Sequence, residues 1–318
     1  MMQELSKNIT QKPICWIVTE GIAGTENQCL GVAEALGIVP EVKRIELRQP
    51  WKSLSPYLGL EQNWSFSPAL TRPWPDLLIA SGRKSIAASR YIKKASCGKT
   101  FTVQIQDPRI SPKQFDLVAV PAHDPTRGEN VVVTTSAPNR VSAEKLEAAK
   151  KEFSAFQALP SPRIAVLIGG NSKAYKMDAI AIRKLVIQLS HLDGSLMISA
   201  SRRTGEEGRK ILHETFDDTD HFLWDSEGPN PYFGLLAWAD FILVTADSAS
   251  MLSEACTTGK PVYMIPLEGG HPRIDKLHEN LRQSGCLRDF DGNLENWSYE
   301  PLNDAASIAQ EIRKCMKL

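Results

Sequence analysis

The sequence predicts an α/β protein made of two Rossmann-like domains. Short apolar segments of strand type alternate with helix-like segments along most of the chain. Polar or glycine-containing turns follow several of these strands, as in parallel sheets whose strands are joined by crossover helices. A break at Pro160-Ser-Pro162 separates two series of such units. We therefore expect one domain over residues 1–159 and a second over residues 160–318.

The first half alternates strand and helix from residue 14 onwards. Strands are predicted over 14–19, 42–47, 76–82 with its glycine turn, 100–106, 117–120 and 131–134, and helices over about 25–36 and 84–94. The segment from Arg48 to Trp74 is rich in aromatic residues and prolines. We interpret it as a long loop with helical turns.

The second half repeats this alternation after the proline break. Strands are predicted over 163–168, 196–199, 222–224, 241–245 and 262–265. Helices are predicted near 177–191, 205–215, 231–239, 251–256, 273–284 and 303–316. The last helix is expected to pack back on the first domain.

The stretch from Ala237 to Leu267 is the clearest strand–helix–strand unit of the chain. Its polar turn follows a strand, where open α/β sheets bind ligands and helix N-terminal amides attract anions. Asp247, Ser248 and Ser250 are therefore candidate anion-site residues, and the alternative is that Asp247 or Ser248 only caps the helix. Glu254 shares a helix face with Ser250, so its carboxylate is a candidate partner of a ribose diol. An ordinary surface glutamate is the alternative.

Two more turns in the second half carry suitable groups for a nucleotide diphosphate. Gly169 and Gly170 can let the backbone approach a ligand closely, with Asn171 and Ser172 as hydrogen-bond donors, although Gly-Gly is also a common way to leave a strand. Arg202-Arg203 follows another strand end, and arginine suits phosphate through its fork of N–H donors. One of these two arginines is expected to be only a surface charge.

The composition is that of a globular protein without an obvious membrane or disulfide framework. The chain has 318 residues, of which 42% are hydrophobic and 23% charged. No uninterrupted apolar run of about 18 residues or more occurs, and the first ten residues resemble a frayed tail rather than a signal peptide. The six cysteines include no CxxC pair. These observations indicate a cytoplasmic protein with reduced thiols.

Charge is distributed unevenly between the halves. Residues 1–160 carry 20 Lys+Arg against 15 Asp+Glu, a balance of +5, so the remaining 17 and 22 give −5. Basic residues concentrate between Arg83 and Lys99. One interpretation is that they bind a phosphate-bearing ligand or an anionic membrane surface, and the other is that they form a solvated helix face. The neutral total and the lack of a recognition motif argue against nucleic acid as a partner.

Several strong motifs are absent, and their absence narrows the function. The turn Gly21-x-x-Gly24 is not G-x-G-x-x-G, so nicotinamide dinucleotide binding loses support, and Gly98-Lys-Thr100 is not part of a Walker A loop. Asp218-Thr-Asp220 has a metal-binding form, but its acidic loop favours a solvated turn. The histidines show no metal-ligand spacing. We predict no metal and no tightly bound cofactor.

The second half resembles the donor domain of GT-B glycosyltransferases, in particular the bacterial enzymes that add N-acetylglucosamine in peptidoglycan synthesis. The likeness runs from Ile168-Gly-Gly-Asn-Ser172 through Asp247-Ser-Ala-Ser-Met-x-x-Glu254 to Gly259-Lys-Pro-Val262. It implies two Rossmann-like domains facing across a cleft. It also implies that a glycine-rich turn and a helix N-terminus hold the diphosphate while a helix glutamate binds ribose, roles that would fall on Gly170, Ser172, Ser250 and Glu254.

Almost the full chain is also similar to the elongated-mitochondria fission-factor family of plants, which has many bacterial members of undefined activity. The segments that carry this likeness are Gly24-Thr-Glu-Asn-Gln28, Pro75-Asp-Leu-Leu-Ile-Ala-Ser-Gly-Arg83, Gln106-Asp-Pro108, Leu167-Ile-Gly-Gly170, Ser199-Ala-Ser-Arg-Arg-Thr204 and Asp247-Ser-Ala-Ser-Met251. With no mitochondrial targeting segment visible, a bacterial member is the expected identity. The plant members are implicated in recruiting a dynamin-related protein to mitochondria.

Our first hypothesis is a metal-independent glycosyltransferase that uses a nucleotide-activated sugar. The general base is expected on the first domain, with Glu26 as first candidate and Asp107 as second. A glutamate that merely complements a helix dipole is the alternative for Glu26. The expected acceptor is a glycan or lipid linked to the membrane, so the protein would lie at the inner membrane surface. The acceptor-side residues are Gly24, Thr25, Asn27, Gln28 and Arg83.

A second hypothesis is a non-catalytic adaptor that keeps the fold and binds a protein at the membrane. It predicts no nucleotide affinity and tolerance of Glu254→Ala, with function residing in an exposed patch between Trp51 and Trp74. A nucleotide-sugar epimerase is a third possibility, but it would require a nicotinamide fingerprint that this sequence lacks.

Overall fold

The computed structural model describes residues 13–217, 219–224 and 226–318. The first ten residues, predicted to be a tail, and Asp218 of the Asp-Thr-Asp sequence lie outside these ranges. The chain forms two compact units. The first contains residues up to Val120, Pro125–Val133 and Ala305–Leu318, and the second contains Pro121–Asp124 and Thr134–Asp304.

Strands and helices follow one another along both units. The strands are β1 (Cys15–Thr19), β2 (Glu41–Arg44), β3 (Glu46–Leu47), β4 (Phe66–Ser67), β5 (Leu77–Ser81), β6 (Phe101–Ile105), β7 (Leu117–Pro121), β8 (Val131–Thr134), β9 (Arg163–Ile168), β10 (Tyr175–Lys176), β11 (Ser195–Ala200), β12 (Phe222–Trp224), β13 (Phe241–Thr245), β14 (Val262–Ile265), β15 (Glu268–Gly269) and β16 (Leu287–Asp289). The helices are α1 (Ala23–Leu36), α2 (Trp51–Leu54), α3 (Ser85–Ala95), α4 (Ala143–Glu152), α5 (Ala179–Leu189), α6 (Gly205–Phe216), α7 (Tyr232–Trp238), α8 (Ala249–Cys256), α9 (Pro272–Gln283) and α10 (Asp304–Met316).

The first unit is built on a six-stranded sheet of order β2-β1-β5-β6-β7-β8. β1 pairs in parallel with β2 and β5, and β6 pairs in parallel with β5 and β7. Because successive strand residues point to opposite faces, Ile17 and Ile79 pack with α1 and α10, whereas Val18 and Leu78 pack with α3. Helices on both faces explain why the central strands are apolar throughout.

The second unit has a six-stranded sheet of order β12-β11-β9-β13-β14-β16, in which every neighbouring pair is parallel. Leu167 and Val244 face the layer formed by α7, α8 and α9. Val166 and Leu243 face the layer formed by α5 and α6. A short antiparallel ribbon of β10 and β15 accompanies this sheet. The predicted α/β class with two Rossmann-like domains is therefore confirmed.

The boundary between the units differs from the predicted one at residue 159. Residues 134–159 belong to the second unit. Val141 and Phe156 are buried in the same core as α7 and α8, and the Phe156 ring lies 4.7 Å from the Phe222 ring between centroids. The proline break that suggested the boundary is thus a turn inside the second unit, leading from α4 into β9.

The segment after β2 contains more secondary structure than the sequence predicted. The predicted strand over 42–47 is divided into β2 and β3. Ile45, between them, donates its amide to the Thr19 carbonyl oxygen at 2.9 Å, and β3 then leaves the main sheet and pairs antiparallel with β4. The predicted loop over 48–74 contains α2, a 3₁₀ turn at Asn63–Ser65 and β4. Trp51 and Phe66 anchor this segment in the core of the first unit.

Candidate functional site

The carboxyl ends of β9, β11 and β13 lie side by side because these strands are neighbours in a parallel sheet. The loops that follow them contain Gly169-Gly170, Ser201 to Thr204, and Ala246 to Ser248. Most of the nucleotide-binding residues predicted from the sequence are in these loops. The structure therefore brings the three predicted segments together at one edge of the second sheet.

The Gly169-Gly170 turn is packed tightly against other protein groups. A Cβ atom on Gly169 would collide with the Asp247 carboxylate, and one on Gly170, whose φ is +150°, would collide with the Arg203 carbonyl group. The Gly169 amide donates to Thr245 Oγ1 at 2.7 Å, and the Gly170 amide donates to Asp247 Oδ2 at 3.1 Å. The glycines therefore permit the close packing of three loops, and their amides already have protein acceptors.

Asn171 and Ser172 use their polar groups within the protein. The Asn171 backbone amide donates to the Arg203 carbonyl oxygen at 3.0 Å, and its side chain exchanges two hydrogen bonds with the backbone of Met177. Ser172 Oγ accepts from the Tyr175 amide at 3.0 Å. These bonds shape the turn before β10. Each side chain still has a donor for a ligand, as predicted, because Asn171 Nδ2 has a second N–H group and these bonds do not use the Ser172 hydroxyl proton.

Asp247 forms the electrostatic centre of this edge. Its side chain is fully buried, and Oδ2 accepts from Arg203 Nη1 at 2.5 Å. Its other oxygen, Oδ1, is buried and has no hydrogen-bond partner within the described part of the chain. Burying a carboxylate is costly unless a cation compensates it, so Arg203 is tied to Asp247. Arg202 is exposed and forms no ion pair among the described residues, so its charge is available to a ligand.

Hydroxyl groups lock the loop after β11 onto the loop after β9. Ser201 Oγ and Thr204 Oγ1 both donate to the Gly169 carbonyl oxygen, at 2.6 and 2.5 Å. These residues were not among the predicted site residues. Their pattern, small hydroxyl side chains around an arginine pair after a strand, is a signal that sequence reasoning could have used.

The N-terminus of α8 faces the same edge with unoccupied donors. Ser248 is the N-cap residue, but its side chain makes no capping hydrogen bond, so the alternative that it only caps the helix is not what the structure has. The amides of the first helical turn have no intrahelical acceptors. Ser250 is exposed, and its hydroxyl makes no hydrogen bond within the described residues. These groups and Arg202 are donors that remain for an anion.

Glu254 lies one turn further along α8 in a half-buried position. Its Oε2 accepts from the Tyr232 hydroxyl at 2.5 Å, and Oε1 makes no hydrogen bond within the described ranges. Burial raises the pKa of the Glu254 carboxyl to about 7, and the Tyr232 hydrogen bond acts in the opposite direction. Burial beside this carboxyl also raises the pKa of Tyr232 well above its ordinary range. Glu254 is therefore not an ordinary surface glutamate.

Further groups near this edge were missed by sequence reasoning. His278 on α9 is buried, its pKa is lowered by burial, and its Nε2 has no hydrogen-bond partner in the described chain. The Tyr175 hydroxyl donates to Asp275 Oδ1 at 3.4 Å, and burial raises its pKa to about 12. No local motif marks these residues, because α9 and the β10 turn meet only through the fold.

In the first unit, Glu26 lies in the first turn of α1, after β1. Both of its carboxylate oxygens accept from Arg44, at 3.0 Å from Nε and 2.7 Å from Nη2. Asp107 follows β6, and its Oδ1 accepts from the Arg109 amide and from Thr126 Oγ1. Both candidate bases are therefore at the carboxyl edge of the sheet, as predicted, but each is engaged in hydrogen bonds. They share no hydrogen-bond partner within the described residues.

The predicted acceptor-side residues are divided between a buried network and the surface. Gln28 Oε1 accepts from Ser81 Oγ at 2.7 Å and from Gln106 Nε2 at 3.0 Å, which joins α1 to the ends of β5 and β6. Thr25 Oγ1 donates to the Ile22 carbonyl oxygen, within the same turn as Gly24. Asn27 is half-buried, and Arg83 is exposed. Gln28 is thus a structural link, whereas Arg83 is accessible.

The described residues contain no group of three or more His, Cys, Asp or Glu side chains arranged to hold a metal ion. Within the same ranges no helix is both long and apolar enough to cross a membrane.

Comparison with protein families gives one match that covers most of the chain. The model of the family described as "Mitochondrial fission ELM1" matches residues 23–316. A relative, the mitochondrial fission protein ELM1 of Arabidopsis thaliana, is 28% identical, with 97% of this chain and 92% of the plant protein covered. The predicted family resemblance is therefore confirmed.

Comparison with solved structures confirms the GT-B-like fold. UDP-GlcNAc 2-epimerase from Methanocaldococcus jannaschii aligns with a TM-score of 0.60 at 10% identity, covering 96% of this chain and 99% of that enzyme. MurG from Acinetobacter baumannii aligns with a TM-score of 0.51 at 13% identity, covering 96% and 90%. At these identities the likeness establishes the fold alone.

The two arginines of the second unit allow a matched stability test. Arg203→Ala is expected to lower the free energy of unfolding by about 2 kcal/mol, because buried Asp247 loses its cation. This is less than the ~3–5 kcal/mol of a fully buried pair, since the Arg203 side chain is 42% exposed and water partly replaces it. Urea unfolding measures the change. The control Arg202→Ala should stay within about 0.5 kcal/mol of wild type. Equal effects of the two substitutions would contradict the assignment of Arg203 as the cation that compensates buried Asp247.

Proposed function

The chain belongs to the mitochondrial fission ELM1 family, and we propose that it is a metal-independent glycosyltransferase that uses a nucleotide-activated sugar. The observation that carries this proposal is Glu254, a half-buried carboxylate one turn past the exposed Ser250 on α8. It lies where open α/β sheets bind nucleotides. The fold supports binding of a nucleotide-sugar, since the structurally similar UDP-GlcNAc 2-epimerase of Methanocaldococcus jannaschii has been solved with UDP-GlcNAc and UDP (TM-score 0.53).

In this proposal the second unit binds the nucleotide. The diphosphate would contact the first-turn amides of α8, the Ser250 hydroxyl and Arg202, which together supply donors and positive charge. Asp247 would not contact the diphosphate, because its charge is compensated by Arg203 inside the protein. The free Glu254 oxygen would accept hydrogen bonds from the ribose hydroxyls, as a carboxylate can accept two or more donors.

The first unit would supply the acceptor site and the general base. Glu26 is our first candidate for the base and Asp107 the second. The Arg44 side chain that pairs with Glu26 is 67% exposed, so a bound acceptor can displace it at small cost. Arg83, which is exposed, would face a phosphate on a membrane-linked glycan or lipid acceptor. We further propose that the protein acts in the cytoplasm.

A non-catalytic adaptor is the second candidate function. It is favoured by the name of the plant relative, a mitochondrial fission protein, and by exposed apolar side chains in the segment 54–64. An adaptor has no need of a half-buried carboxylate beside an open helix N-terminus. The absence of any nucleotide affinity in the folded protein would favour the adaptor over the transferase.

Glu254→Ala is expected to weaken nucleotide binding at least tenfold, because charged hydrogen bonds to ribose are each worth about 1.5–3 kcal/mol. Isothermal titration calorimetry with UDP, CMP, GDP and UDP-N-acetylglucosamine, without metal, measures this. Glu152→Ala is the control, since Glu152 is an exposed helix residue of the same unit. Unchanged affinity in Glu254→Ala would exclude Glu254 from the nucleotide site.

Nucleotide affinity is also expected to fall as the pH drops below about 7. The pKa of Glu254 is about 7, so at lower pH the carboxyl is protonated and loses acceptor strength toward ribose. Tyr232→Phe removes the hydrogen bond that lowers this pKa, and the midpoint should therefore move to higher pH. Titrations across this range measure both effects. If Tyr232→Phe does not move the pH midpoint of nucleotide affinity, the protonation of Glu254 does not control binding.

Loss of the general base should slow sugar transfer without changing nucleotide affinity. Glu26→Gln is expected to lower the rate at least about 100-fold, since general-base catalysis contributes roughly 10²–10⁴. Release of nucleotide from the nucleotide-sugar that binds in calorimetry measures turnover, with water as the acceptor. Arg44→Ala is the control and should retain turnover, because it frees the carboxylate. If Glu26→Gln and Asp107→Asn both remain active, neither residue is the base.

A further inference from the structure

Exposed apolar side chains are concentrated in one short segment of the first unit. Leu54, Tyr57, Leu60 and Trp64 are 51%, 70%, 79% and 54% exposed. They are four of the eleven large hydrophobic residues exposed in the described chain, and they lie within eleven consecutive positions. We call these four residues the apolar segment. Single exposed apolar residues need no explanation, whereas exposed apolar side chains that adjoin one another mark interaction surfaces, and Tyr57 and Leu60 line the same surface cavity.

The fold holds the apolar segment in place rather than leaving it loose. The Trp64 ring packs edge-on against buried Trp51 with centroids 4.9 Å apart, and Trp51 Nε1 donates to the Gly59 carbonyl oxygen at 3.0 Å. Leu60 has a φ of +64°, a left-handed conformation that is unfavourable for leucine. Glycine or asparagine would adopt this conformation at lower cost, yet the position carries an exposed leucine.

Basic residues adjoin the apolar segment. Tyr57 and Leu60 line a surface cavity of about 710 Å³ together with Lys93, Lys94 and Lys113. Lys93 is paired with Asp116, whereas Lys94 and Lys113 are exposed and form no ion pair within the described residues. At the wall of the cavity Arg90 and Glu61 form an ion pair of their own. The cavity lining therefore has an excess of positive charge.

We propose that this surface, the apolar segment with Lys94 and Lys113, docks the protein on an anionic lipid membrane. Tyrosine and tryptophan suit the membrane–water interface because each has an apolar ring and a polar tip, and leucine can insert more deeply. Lysine stems cover apolar surface while their charges meet lipid phosphates. A protein partner is the weaker fit, because protein interfaces are depleted in lysine. The proposal is independent of the nucleotide site, since every residue involved is in the first unit.

Flotation of the full chain with lipid vesicles tests the proposal. Wild type is expected to float with vesicles of phosphatidylcholine and phosphatidylglycerol and not with vesicles of phosphatidylcholine alone. Lys94→Gln with Lys113→Gln should lower partitioning about 25-fold, because each lysine near an anionic surface contributes about fivefold. Tyr57→Ser with Leu60→Ser should lower partitioning by at least as much, because two interfacial side chains are lost.

Matched control pairs come from the second unit. Ile180→Ser with Ile187→Ser removes two side chains that are 65% and 60% exposed. Lys151→Gln with Lys184→Gln removes two exposed charges that, like Lys94 and Lys113, form no ion pair within the described residues. Both pairs should partition like wild type. Absence of wild-type flotation, or equal losses in test and control pairs, would overturn the proposal. Release from vesicles by inorganic phosphate, but not by chloride at the same ionic strength, would also overturn it and assign the cavity to a free anion.

Discussion

The second unit depends on one buried charge. The Asp247 carboxylate follows β13, accepts from the Gly170 amide after β9 and pairs with Arg203 after β11. Three separate loops are therefore held by a single side chain with no exposure to solvent. A buried carboxylate is costly unless hydrogen bonds and a cation compensate its charge. The contacts that compensate Asp247 therefore also fix how the three loops lie against one another.

This constraint changes which groups are left for a ligand. The glycine turn, which resembles a phosphate-binding loop in sequence, uses its amides on Thr245 and Asp247. The α8 N-terminus, Ser250 and Arg202 keep their donors, and Glu254 keeps one carboxylate oxygen. In the proposed function the nucleotide binds along α8 rather than inside the glycine turn, because Ser250, Arg202 and the second oxygen of Glu254 are the groups that hydrogen bonds and ion pairs within the described residues leave available.

The first unit has a different character at the equivalent edge of its sheet. Uncharged groups, Gln28, Ser81 and Gln106, join the ends of its strands, and the carboxylates of Glu26 and Asp107 are engaged by neighbours. Its accessible charge is mostly basic, with Arg83, Lys94 and Lys113 exposed. The uneven charge of the two halves of the sequence thus corresponds to two surfaces suited to different partners.

The sequence alone determined the order of the longer strands and helices, because alternation of apolar residues and turn residues is a local property. It did not predict the short strands β4, β10, β15 and β16, of which β16 is an edge strand of the second sheet. It also located the strand ends that carry Gly169, Arg203 and Asp247. Only the tertiary structure decided how these groups pair, since Arg203 and Asp247 are 44 positions apart and Tyr232 and Glu254 are 22 apart. The boundary between the units was likewise decided by packing of Phe156 against a distant strand, which no local pattern records. Hydrogen bonds and ion pairs across such distances depend on strand order, and strand order is a property of the folded sheet.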